Sequence, residues 1–135
     1  MVSMGKDYFP EEPFGCRDNC GLNSFDPAMR AILNAGREKY GKAIVVNCGC
    51  RCKAHNAAVG GARRSAHLPG PDNLCHGADL YEESAIERAV LHDIFYDLGI
   101  RRFEVSDKHI HVDNADSYLP TPILSGVNFT GAAET

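Results

Sequence analysis

Apolar and polar positions along the chain divide it into alternating helical and strand-like segments. Asp26 followed by Pro27 is a good helix opening, since the proline at the first helical position has no amide hydrogen to satisfy. Met29, Ile32 and Leu33 then recur at helical spacing, and Gly41 ends the segment. Ala43 to Val46 is a short apolar, β-branched run that reads as a buried strand. Lys53 to Val59 predicts a short helix stopped by Gly60-Gly61, and His76 to Tyr81 a second strand. Ser84 and Glu87 form an S-x-x-E capping box for a helix reaching about Leu98, with Gly99 as its C-cap. Ile86, Val90, Leu91, Ile94, Phe95 and Leu98 are expected on one broad apolar face of that helix.

Two further strands are predicted near Ile100–Val105 and His109–Asp113, separated by Ser106-Asp107-Lys108. Residues 1–23 are rich in Pro, Gly and polar residues and read as an irregular lead-in; residues 114–135 read as an irregular tail. Helices and strands do not alternate strictly. The expected class is therefore α+β, a small antiparallel sheet with helices packed on it, in one domain over residues 1–135.

At 135 residues the chain is long enough for a single core. No stretch approaches the roughly 20 apolar residues that span a bilayer. The opening MVSMGKDYFPEEPFG lacks an apolar h-region, so no signal peptide is expected. A formal net charge of -4 argues against a nucleic-acid partner, and the Arg63-Arg64 cluster is too short to suggest one.

The six cysteines, Cys16, Cys20, Cys48, Cys50, Cys52 and Cys75, admit three readings. They are reduced thiols packed as small hydrophobes, a structural metal site spaced C-x3-C and C-x-C-x-C, or disulfides. Without an export signal they are expected to be mainly reduced.

Candidate chemistry begins on the last strand. Side chains alternate across a strand, so Ile110 and Val112 share the core face while His109, His111 and Asp113 share the other. Two imidazoles and a carboxylate are thus presented together. A second group is Ser65-Ala66-His67-Leu68 followed by His76-Gly77-Ala78-Asp79-Leu80, which offers His and carboxylate donors among glycines. A catalytic zinc takes three such ligands and keeps a position for water. Taken alone, the second group equally suits a polar loop with a capping Asp.

The order Asn47-Cys48-Gly49-Cys50-Arg51-Cys52-Lys53-Ala54-His55-Asn56, Val59-Gly60-Gly61-Ala62, Ser65-Ala66-His67-Leu68 and His109-Ile110-His111-Val112-Asp113 resembles the zinc D-Ala-D-Ala peptidase family. The resemblance covers about residues 8 to 113 and implies the hedgehog/DD-peptidase fold. It implies one zinc ion held by His67, Asp79 and His111, with Arg51 facing the substrate or oxyanion and Ser65 bordering the substrate. His109 takes the acid–base role; family members with a carboxylate base carry it three positions before the last ligand, where this chain has Lys108. Eleven residues separate His67 from Asp79 where the family usually has six, and Asp72 and His76 in that longer loop are rival ligands. Cys48 and Cys50 replace the usual Ser and Tyr, and are placed to alter substrate shape or to pair with each other or with Cys75.

The implied function is hydrolysis of peptidoglycan stem or cross-link peptides at a D-amino-acid bond by a monomeric enzyme, made in the cytoplasm and released to the wall in a phage-like manner. The alternatives are a wall-peptide binding module that keeps the fold without turnover, and a cysteine-rich structural zinc protein whose histidines are incidental.

Overall fold

The computed structural model describes residues 6–120, so most of the tail expected after residue 113 lies outside the described residues. Element order is α1 (Pro27–Tyr40), β1 (Val45–Cys48), α2 (Lys53–Ala58), β2 (Gly77–Tyr81), α3 (Ala85–Asp97), β3 (Arg102–Val105) and β4 (His109–Asp113), then a 3-10 turn at Ala115–Ser117. The four strands form one antiparallel sheet in the order β1-β2-β4-β3. The architecture is α+β, as expected.

Local signals account for most element ends. The Asp26 carboxylate accepts from the amides of Ala28 and Met29 at the start of α1, and Gly41 closes it at φ 75. Ser84 Oγ accepts from the Glu87 amide at 3.2 Å. The reciprocal half of the predicted capping box is made differently: Glu82 Oε2 accepts from the Ser84 amide, while Glu87 is engaged by Tyr40 and Lys42. The first strand lies two residues later than its apolar run suggested, at Val45–Cys48, because β2 is its pairing partner and sets the register.

The core lies between one face of the sheet and helices α1 and α3. Val46, Ala78, Leu80, Phe103, Ile110 and Val112 from the strands meet Met29, Leu33, Leu91 and Phe95 from the helices. Only part of the broad face expected on α3 is used: Leu91 and Phe95 are buried, but Ile86 is 75% and Val90 39% exposed. The lead-in is irregular, yet it is part of the core. Phe9 and Phe14 are buried, and the Phe14 ring stacks on Phe25 with centroids 4.3 Å apart.

Four of the six cysteines are free thiols, and the other two are bridged. Cys50 and Cys75, both fully buried, form a disulfide; Cys16, Cys20, Cys48 and Cys52 are free. The bridge ties the segment before α2 to the end of the long loop before β2. Pairing with Cys75 was among the open readings, and the fold selects it by bringing two segments 25 residues apart within disulfide reach.

Candidate active site

The sheet face away from the helices carries the polar residues. Strand pairing sets Cys48 opposite Asp79, Asp79 opposite His111, and Glu104 opposite His111. One row, Cys48-Asp79-His111-Glu104, therefore crosses all four strands. Cys48 reaches that row through an irregularity in β1, where the register shifts between Val46 and Cys48. Arg102 and Asp113 pair in the next row, and Tyr81 and His109 in the row on the other side.

His67 comes from outside the sheet. Its loop is fixed by three backbone bonds: the Arg51 amide donates to the His67 carbonyl at 2.8 Å, and the amides of His76 and Gly77 donate to Ala66 at 2.9 and 3.1 Å. Gly77 leaves the space this requires, since a Cβ there would stand 2.9 Å from His111 Cε1 and 3.0 Å from Ala66 Cβ.

The two imidazoles converge on one oxygen. His67 Nε2 lies 3.1 Å and His111 Nδ1 2.9 Å from Asp79 Oδ1, with the rings edge-to-face at 4.9 Å. The far nitrogen of each ring has its own acceptor. His67 Nδ1 donates to the Gly49 carbonyl at 2.6 Å, and His111 Nε2 donates to Asp113 Oδ2 at 2.7 Å. Asp113, fully buried, also accepts from Arg102 Nε and the Ala115 amide, each at 2.8 Å.

The electrostatics follow from this crowding. Burial disfavours charge on His111, but Asp113 and Asp79 outweigh it and push its pKa up to about 10. Burial likewise opposes charge on His67, and the Asp79 carboxylate overcomes it, raising the pKa. Burial works to raise Asp79, yet the His67 and His111 rings hold it well below the usual carboxylate range. Burial also opposes ionisation of Cys48, whose Sγ lies 3.6 Å from His67 Nδ1; the ring outweighs this and lowers the thiol pKa.

These residues open onto a cavity lined in part by Arg51, Arg64, Ser65, His67, Asp79, Glu104 and His111. Arg51 Nε is buried and has no hydrogen-bond partner among the described residues. Its guanidinium lies over Gly61, where a Cβ would come within 2.6 Å of Nη1. Ser65 Oγ accepts from the His67 amide at 3.1 Å and so helps to hold the loop as well as lining the cavity.

The peptidase M15 family model matches residues 7–113, which spans both the sheet and every residue of this row. The chain belongs to the peptidase M15 family. No curated protein and no solved structure matches it.

For this M15 chain, most residues singled out in the sequence meet in one place. His67, Asp79, His111, Arg51 and Ser65 all line the cavity. His109 lies on the same strand face as His111 but one row farther along; its Nε2 is 2.9 Å from Asn47 Nδ2, its ring packs on Tyr81, and it is not among the residues lining the cavity. The rival ligands stand together elsewhere, with His76 Nε2 2.8 Å from Asp72 and Nδ1 2.7 Å from Asn114.

Glu104, Arg64 and Arg102 line the cavity without a site role in the sequence reading, and Cys48 adjoins it. Glu104 had no local motif; only the β3–β4 register sets it beside His111. Arg64, in sequence only part of a short basic pair, lines the cavity while donating to the Tyr118 carbonyl at 3.0 Å. Cys48, a residue placed by its motif to alter substrate shape or to pair with Cys50 or Cys75, is free, and its Sγ, a His67 nitrogen and an Asp79 oxygen lie within 4.8 Å of one another.

The donor set fits the zinc ion that M15 peptidases use. The nitrogens nearest Asp79 are free to give a lone pair once deprotonated, while the far nitrogens are tied to acceptors that fix each tautomer.

Proposed function

We propose that this M15 metallopeptidase hydrolyses peptidoglycan stem or cross-link peptides at a D-amino-acid bond, using zinc held by His67, Asp79 and His111. The observation that carries this reading is the convergence of His67 Nε2 and His111 Nδ1 on Asp79 Oδ1, with both far nitrogens hydrogen-bonded. Zinc so bound supplies Lewis-acid polarisation of a carbonyl and a water of near-neutral pKa.

The chain's own residues supply the rest. Arg51, with an unpartnered buried Nε, and Arg64 bring guanidinium groups to a cavity that Arg102, paired with Asp113, also lines. They suit a peptide carboxylate or the oxyanion formed from a scissile carbonyl, which guanidinium binds with charge-assisted bonds. Ser65 borders the same space. The resemblance gives proton transfer to His109. The cavity lining favours Glu104, a carboxylate facing His111 from the neighbouring strand, as the group that holds and moves that proton. No described helix is long and apolar enough to cross a membrane, and the substrate requires that the protein reach the wall.

The binding-module reading rests on Lys108 in place of the family's carboxylate and on the lengthened loop between His67 and Asp79. Purified peptidoglycan incubated with zinc-loaded protein and read by mass spectrometry separates the two. The hydrolase produces new peptide termini that disappear with chelator and with His111→Ala. Zinc-loaded protein that sediments with wall fragments yet leaves every peptide intact is the binding module.

A further inference from the structure

Each of the four free cysteines has a placement, and three of them meet away from the cavity. Cys16, Asp18, Cys20 and Cys52 each offer a donor atom, and all four atoms lie within 4.8 Å of one another. Cys16 Sγ is 3.1 Å from Asp18 Oδ1 and Cys52 Sγ 3.1 Å from Asp18 Oδ2, so one carboxylate sits between thiols 36 residues apart in the chain. None of the four lines the cavity.

We propose that Cys16, Asp18, Cys20 and Cys52 form a second, structural zinc site that fastens the 16–20 loop to the start of α2. Three thiols cannot all be consumed by disulfides among themselves, and the one disulfide present takes Cys50 and Cys75 instead. A set of three sulfurs and one carboxylate suits zinc, whereas calcium and magnesium take oxygen donors. Four protein donors close the coordination shell, which marks a structural rather than a catalytic ion.

The surrounding backbone supports the sulfurs. The Cys52 amide donates to Cys16 Sγ and the His55 amide to Cys52 Sγ, each at 3.4 Å, bonds that favour the thiolate form. The loop is turned back by Asn19 at φ 65 and Gly21 at φ 87, and the Cys16 amide closes it on the Leu22 carbonyl at 2.8 Å. Binding releases the three thiol protons to solvent and forms three zinc–sulfur bonds and one zinc–oxygen bond, with no oxidation or reduction.

The test counts metal in protein prepared under mild reductant, and does not depend on peptidase activity. Wild-type protein is expected to carry two zinc ions per chain by native mass spectrometry. Cys20→Ser, at an exposed position, should retain one, and His67→Ala with His111→Ala should also retain one, the other. Alkylation mapping provides a second measurement that does not rely on variants. Zinc should protect Cys16, Cys20 and Cys52 together, and Co2+ replacement should give strong sulfur-to-metal charge-transfer absorption that Cys20→Ser weakens. A wild-type chain that binds one zinc, lost on mutating the histidines and kept in Cys20→Ser, overturns the proposal. So does equal alkylation of the three thiols with and without zinc.

Discussion

His111 and Asp113 lie two residues apart on one strand, and their side chains bond to each other: Nε2 donates to Oδ2 at 2.7 Å. Period-two alternation makes this possible, since both point to the same sheet face. The bond leaves Nδ1 as the nitrogen directed at Asp79, so Asp113 chooses which nitrogen of His111 faces the cavity and the proposed zinc. Asp113→Asn is expected to weaken zinc binding by about 10- to 100-fold, the usual worth of such a supporting carboxylate. The same change leaves Arg102 without its buried countercharge, and unfolding free energy should fall by roughly 3–5 kcal/mol. Competition with a chromogenic chelator and urea unfolding read the two effects; unchanged zinc affinity in folded protein refutes the orienting role.

Glu104 and His109 are two rival proton-transfer groups, and paired variants distinguish them. Glu104 lines the cavity beside His111, whereas His109 is held by Asn47 and Tyr81. Glu104→Gln is expected to reduce kcat on wall peptides at least about 100-fold with zinc content unchanged. His109→Ala should reduce it by much less. The reverse ranking returns the role to His109. Ile110→Ala, between the two histidines on the core face, should instead cost roughly 2–5 kcal/mol of stability.

Gly36 in α1 packs against Phe95 of α3 so closely that an added Cβ would overlap the ring. Propensity alone predicts that Gly36→Ala stabilises a helix by about 1 kcal/mol. Phe95 is fully buried and has nowhere to move, so overpacking of about 1–3 kcal/mol should win. Thermal unfolding of Gly36→Ala should show a lower Tm, and Phe95→Leu in the same chain should recover part of the loss. A raised Tm in Gly36→Ala contradicts the close packing.

His76 couples the loop before β2 to the start of α1 through Asp72, Asn114 and Asp26, whose Oδ2 is 3.2 Å from its Nδ1. Burial disfavours its charge, but Asn114 and the two carboxylates outweigh that, and its pKa is raised above 6.5. A raised pKa in the folded state contributes stability that is fully present below the unfolded value and is lost as pH rises through the folded value. The unfolding free-energy gap between wild type and His76→Gln should therefore be widest near pH 6 and narrow toward about pH 9. Urea titrations across that range check it, and a gap that widens with pH disproves it.

Features that depend on near neighbours were legible in the order of residues. The Asp26-Pro27 and Ser84 helix starts, the Gly41 stop and the alternation of His109, Ile110, His111 and Val112 are set by backbone sterics and by hydrogen bonds a few residues long. Together with the ordered motifs, they made the family, the α+β class and the grouping of His67, Asp79 and His111 legible. Tertiary structure alone decided everything that depends on pairing between distant segments. The β3–β4 register set Glu104 against His111, and the irregularity in β1 turned Cys48 to the site face. Chain closure chose Cys75 for Cys50 and gathered Cys16, Asp18, Cys20 and Cys52. No local pattern encodes these contacts, because a one-residue slip in register moves a strand's side chains to the other face, and only the buried core excludes that slip.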